Sequence, residues 1–111
     1  QLSFTVQPVA TTAGATITPA VRVAAVDAFG NTATSFTGAV TVAIGNNPAG
    51  GTLSGTTTLV ATAGVAVFSS LRIDKAGSGY TLAATAVSVT GTTSSAFDIT
   101  AGAATQLAFT L

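Results

Sequence analysis

Few side chains in this sequence can do acid, base or metal chemistry: three aspartates (Asp27, Asp74, Asp98), one lysine (Lys75), two arginines (Arg22, Arg72) and one tyrosine (Tyr80). Histidine and cysteine are absent, which removes the usual general base, most zinc ligands and the common activated nucleophiles. Serines are plentiful, but a serine–lysine pair would need Lys75 beside an activated serine in a pocket, and Lys75 stands in the glycine-rich corner DKAGSGY. Two carboxylates flanking a glycosidic bond would have to be drawn from the three aspartates. Asp27 and Asp74 sit in turn-like stretches and Asp98 points outward between Phe97 and Ile99, so convergence is not expected. The stretches GNNPAGG and AGSG lack the lysine or helix of a phosphate-binding loop and read as turns. No catalytic, cofactor-binding or metal-binding residue is therefore assigned, and the chain is not expected to be an enzyme. Loop aspartates with backbone carbonyls leave a weak calcium contact as the one cation expectation, and exposed threonine hydroxyls leave a glycan contact.

What holds these residues follows from composition and periodicity. A chain of 111 residues suits one domain with a real core. Its formal net charge is zero and 5% of its residues are charged, against about 25% in ordinary proteins. Nothing in that balance draws nucleic acid or an anionic membrane. The surface must be wetted by threonine and serine hydroxyls instead, which favours a secreted or surface module and an extracellular location. Without cysteine there is no disulfide framework, and no apolar run approaches the roughly 18 to 20 residues of a membrane-spanning helix. Methionine is absent and no basic, apolar leader precedes the first strand, which points to a processed precursor or a piece of an array.

Apolar residues recur with period two over short spans, separated by Gly, Asn, Pro and Ser clusters. Leu2, Phe4 and Val6 share one face of a first strand that ends near Pro8. Pro19 suits an edge or a break. Val21, Val23 and Ala25 point one way, Arg22 and Ala24 the other, and Val26, out of phase, marks a bulge or a strand end. In DAFGN, residues 27–31, Asp27 can accept bonds from the amides just ahead while Gly30 and Asn31 tolerate positive φ, so this is a turn. Val40, Val42 and Ile44 make the next inward face, followed by Leu53 and by residues 59–61. ATAG, 61–64, is expected to be a hairpin turn leading into VAVF, whose Phe68 side gains most by leaving water. DKAGSGY, 74–80, reads as a polar reversal and VTGTTSS, 89–95, as another turn. Tyr80, Leu82, Ala84 and Ala86 share a face, with Tyr80 as a corner tyrosine bonding back to the backbone, and Phe97 with Ile99 finish the last strand. No window carries a helical period. The expected fold is all-β, a sandwich of about seven to nine antiparallel strands in two sheets.

Two stretches, VRVAAVDAFGNTATSFTGAVTVAI at 21–44 and GVAVFSSLRIDKAGSGYTLAATA at 64–86, carry a resemblance. Their ordered pieces are Asp27, Gly30 and Asn31, then Gly64, Val65, Ala66 and Phe68, then Lys75, Ala76, Gly77, Tyr80, Leu82 and Ala84. The pattern resembles the bacterial immunoglobulin-like repeats of surface and adhesion proteins, of invasin and intimin type, over roughly residues 1–100. The resemblance implies an immunoglobulin-like β-sandwich, a bacterial cell-surface or extracellular location and a role as spacer, stalk or fibre segment. It brings no catalytic residue with it.

The sequence also repeats a word: QLSFT at 1–5 returns as QLAFT at 106–110. Leu107, Phe109 and Leu111 then repeat the alternation of Leu2, Phe4 and Val6. We therefore divide the chain into a domain at 1–100, a short linker at 101–105 and, at 106–111, the first strand of a following repeat or a strand donated to a neighbour. Gln106, Leu107, Phe109 and Leu111 are the expected contact residues, and the expected partners are neighbouring copies of the same domain, in tandem or by strand addition. The expected function is a structural unit of an extracellular fibre, filament or stalk. Its rival is an adhesin or carbohydrate-binding module gripping a ligand with its loops, for which Phe29 and Phe36 are the candidate loop contacts.

Overall fold

The computed structural model describes residues 1–87 and 89–102. Twelve short strands run through the described residues: β1 (Leu2–Val6), β2 (Thr11–Thr12), β3 (Val21–Ala25), β4 (Ala39–Ile44), β5 (Leu53–Ser54), β6 (Thr58–Val60), β7 (Val65–Phe68), β8 (Arg72–Ile73), β9 (Gly77–Tyr80), β10 (Leu82–Ala86), β11 (Val89–Thr93) and β12 (Phe97–Thr100). The count exceeds the expected figure of about seven to nine because three long runs, 65–73, 77–86 and 89–100, are each interrupted once.

Alternation decides which side of each strand is buried. Leu2 and Phe4 of β1, Val21, Val23 and Ala25 of β3, and Ala66 and Phe68 of β7 turn inward from a three-stranded antiparallel sheet of order β1-β3-β7. Val40 and Val42 of β4 with Leu82 and Ala84 of β10 turn inward from a four-stranded antiparallel sheet of order β11-β10-β4-β6. All belong to one apolar cluster, so the arrangement is sandwich-like. Phe68, fully buried, contributes on the order of 2–3 kcal/mol by leaving water. The cluster also takes in Ala61 and, further along, Ile17, Leu71, Ile73, Tyr80, Phe97 and Ile99. These last six lie around two small pairings, β2-β12-β9, in which β2 runs parallel to β12, and β5-β8.

The strand directions set two ends to the molecule. At the proximal end the Gln1 carbonyl accepts from Val26 N (2.7 Å), beside the 27–31 turn, and the Gly64 carbonyl accepts from Ala25 N (2.8 Å). β4 leaves that end and reaches the distal one at Ile44, opposite Leu82. β10 returns, and β11 with β12 goes out again, so that Thr100 lies beside Thr12 at the distal end. Loop 46–51 and the corner at 74–76 are there too: Asn46 Nδ2 donates to the Gly79 carbonyl, and Gly14 N donates to the Ile73 carbonyl. The described chain therefore begins at one end of the sandwich and leaves at the other.

Two stretches read as turns are strand instead. In DKAGSGY the reversal is confined to the first residues, and Gly77–Tyr80 pairs with β12, Phe97 opposite Tyr80 and Ile99 opposite Gly77. Residues 89–93 form edge strand β11, where three threonines and a valine favour extended backbone. Gly91 is admitted because a Cβ there would meet the Ala84 carbonyl oxygen at 2.6 Å, a close approach of two backbones. Ala24, expected outward, is fully buried between its neighbours Ser3 and Val65. Val26 stands outside β3, in an isolated bridge to Thr32.

The ATAG segment does turn the chain, with Ala63 at φ +48° and Gly64 at φ +82°. Gly64 also stitches the proximal end, its N–H donating to the Phe36 carbonyl, and a Cβ there would run into the Ala33 carbonyl. Gly64→Ala combines a left-handed backbone with a steric clash, and we expect it to destabilise by about 2–4 kcal/mol in urea unfolding.

Candidate functional site

The residues with chemistry in them are dispersed, and each carboxylate serves backbone. Asp27 Oδ1 accepts from Phe29 N and Asn31 N, both at 2.9 Å, and Oδ2 accepts from Asn31 Nδ2 at 3.3 Å. At the other end of the molecule Asp74 Oδ1 accepts from Thr52 N (2.6 Å), tying the 46–51 loop exit to the corner after β8. Asp98, outward on β12, accepts from Gly79 N at 3.1 Å. Among the described residues no group of three metal-ligating side chains comes together. The backbone amides donated to Asp27, from Asn31 first and Phe29 second, hold its carboxyl below the ordinary 3.8.

Tyr80 is fully buried, its ring 6.2 Å from that of Phe97, and its hydroxyl donates to the Lys75 carbonyl at 2.8 Å. That is the corner arrangement expected from sequence, and it closes the turn before β9 while removing Tyr80 from any ligand-stacking role. Lys75, Arg22 and Arg72 are exposed.

The two candidate loop aromatics are separated in role. Phe36 is half-buried and packs against the core, whereas Phe29 is 89% exposed at the tip of the 27–31 turn. No protein-family model matches the chain, and no curated protein matches it. Gln106, Leu107, Phe109 and Leu111 lie outside the described residues.

Two open depressions mark the four-stranded sheet. One, of about 490 Å³, is lined by Ile44, Asn47, Gly51, Thr52 and Leu53 among others and lies toward the distal end. A second, of about 340 Å³, lies on the outer face at the proximal end between Ala39, Thr41, Thr85 and Val87. Neither includes an aspartate, Lys75 or an aromatic side chain. Sequence reasoning missed Val87, 88% exposed next to the last residue of β10, and Val60, 66% exposed on edge strand β6. It also missed Ser94, buried, whose hydroxyl accepts from Leu82 N and donates to the Ser95 carbonyl. A lone serine in a Thr- and Ser-rich stretch gives no signal of burial.

The lowered Asp27 value makes the proximal turn acid-sensitive. Its stabilising contribution is complete above 3.8 and is lost as pH falls through the lower value that the fold imposes. In a urea series across that acid range, Asp27→Asn should lack this part of the pH dependence. Tyr80→Phe should cost about 1–2 kcal/mol, read in the same assay.

Proposed function

We propose that this chain is a structural link of an extracellular fibre or cell-surface stalk, built on an immunoglobulin-like β-sandwich and without catalytic chemistry. The observation that carries the proposal is the placement of Gln1 at one end of the sandwich and of Thr100 at the other. A unit entered at one end and left at the opposite one extends an array with every copy added, and its neighbours need only a short linker. The sheet orders β1-β3-β7 and β11-β10-β4-β6 support the immunoglobulin-like reading. On that reading they would stand for A-B-E and G-F-C-C′. Tyr80, bonded back to Lys75 where the chain enters the penultimate run, supports it as well.

The repeated word favours a covalent array. The groove beside β3 that a second QLxFT would fit is already filled by the chain's own Leu2 and Phe4, paired with Ala25 and Val23. A donated copy would have to expel β1 to use it. The adhesin alternative draws on Phe29 alone, since Phe36 packs on the core.

Light scattering with negative-stain imaging on the full chain and on a version ending at Thr100 tests the proposal. We expect compact monomers from both. Filaments or head-to-tail oligomers from the full chain, abolished by the truncation, would replace the covalent link with a strand-donating subunit. Specific glycan binding abolished by Phe29→Ala would favour the adhesin.

A further inference from the structure

Phe29 is a large apolar side chain held out in solvent by a turn with very little freedom. Asp27 N donates to the Asn31 carbonyl, Gly30 N donates to the Asp27 carbonyl, and the Asp27 carboxylate takes the amides of Phe29 and Asn31. An exposed aromatic on a pre-ordered loop loses little entropy when it docks, which is how anchor residues work. Along β4 from Thr41 toward the opposite end of the same sandwich lies the open depression of about 490 Å³, lined by half-buried Ile44, Gly51 and Leu53 with exposed Asn47 and Thr52 at its rim. One end thus carries a knob and the other a notch, which is the self-complementarity of a heterologous, head-to-tail contact.

The occupant follows from the chain itself. Gln1 is bonded to Val26 in both directions, immediately before the Asp27 turn. Wherever a following copy starts its first strand, its Phe29 turn stands beside that start. The sequence restarts that strand at Gln106, with residues 101–105 between it and Thr100. The six Cα steps from Thr100 to Gln106 reach at most about 22 Å, and a four-stranded sheet is roughly 14–15 Å wide. The following copy's Phe29 is thereby confined to the neighbourhood of this copy's distal end.

Resting on the tandem reading above, we infer that Phe29 of each unit seats in the Ile44–Leu53 notch of the unit before it and fixes the angle between them. The test joins a second full copy of the chain behind residue 105 of the first, its Gln1 replacing Gln106, and follows the two by methyl and relaxation NMR. The Ile44 and Leu53 methyl signals of the first copy should shift from their single-chain positions, and the two units should tumble as one body. Phe29→Ser in the second copy should return those signals and give separate tumbling, and Thr52→Arg in the first copy, which obstructs the notch from its rim, should do the same. Phe29→Ser in the first copy should change neither. Since Phe29 is 89% exposed, its replacement does not threaten the fold. Two folded copies with unshifted Ile44 and Leu53 methyls, or shifts that persist in the second-copy variant, would overturn the junction and leave the stalk reading standing. A second copy that fails to fold behind residue 105 would sink both.

Discussion

A fold with three carboxylates must satisfy its turn amides from a short list of acceptors. Buried or half-buried amides left without a partner cost about 1–3 kcal/mol each, and a protein this sparing with charge has few strong acceptors to place. The response is visible at both ends. Asp27 holds the proximal turn, Asp74 ties Thr52 to the corner after β8, and Asp98 takes Gly79. Neutral side chains do the rest: Asn47 closes 47–51 on itself through Gly51, Thr81 Oγ1 accepts from Asn46 N, and Gln7 Oε1 accepts from Ser95 N. Ser94 serves the interior in the same way, and among the described residues no buried side-chain nitrogen or oxygen lacks a partner. The three aspartates are thus each committed to backbone amides at turns and strand ends.

That commitment explains which parts of the molecule were legible from sequence. Alternation of Leu2 with Phe4, of Val21 with Val23 and of Ala66 with Phe68 reports burial directly, because period two leaves one choice of face once a core exists. DAFGN was readable since the acceptor, the glycine and the asparagine lie within one turn of chain. The Tyr80 corner came from a fold pattern, and the local hydrogen bond agrees with it. Gly-Ser-Gly at 77–79 and Thr-Gly-Thr at 90–92 misled, because glycine marks both a reversal and a close approach between strands, and only tertiary pairing separates the two. Ile17 shows the converse: it is fully buried with no strand around it, held by Ile17 N donating to the Leu71 carbonyl. The candidate loop pair was legible only as a pair of aromatics, since nothing in the local sequence of Phe36 distinguishes a core cap from an exposed ring.

The same economy bears on how copies would meet. With a net charge of zero and 5% charged residues, a surface of this kind exerts almost no long-range force on another copy. Encounters are neither steered nor repelled, and whatever contact forms must rest on short-range packing that salt hardly screens. A single aromatic in an open notch is weak on those terms when the partners are free in solution. Covalent connection changes the terms, because a short linker sets an effective concentration in the millimolar range, enough to populate a contact too weak to assemble separate chains. On the tandem reading proposed above, the neutral surface, the opposed chain ends and the exposed Phe29 ring are mutually consistent: the linkage would supply proximity, and the ring need supply only the angle.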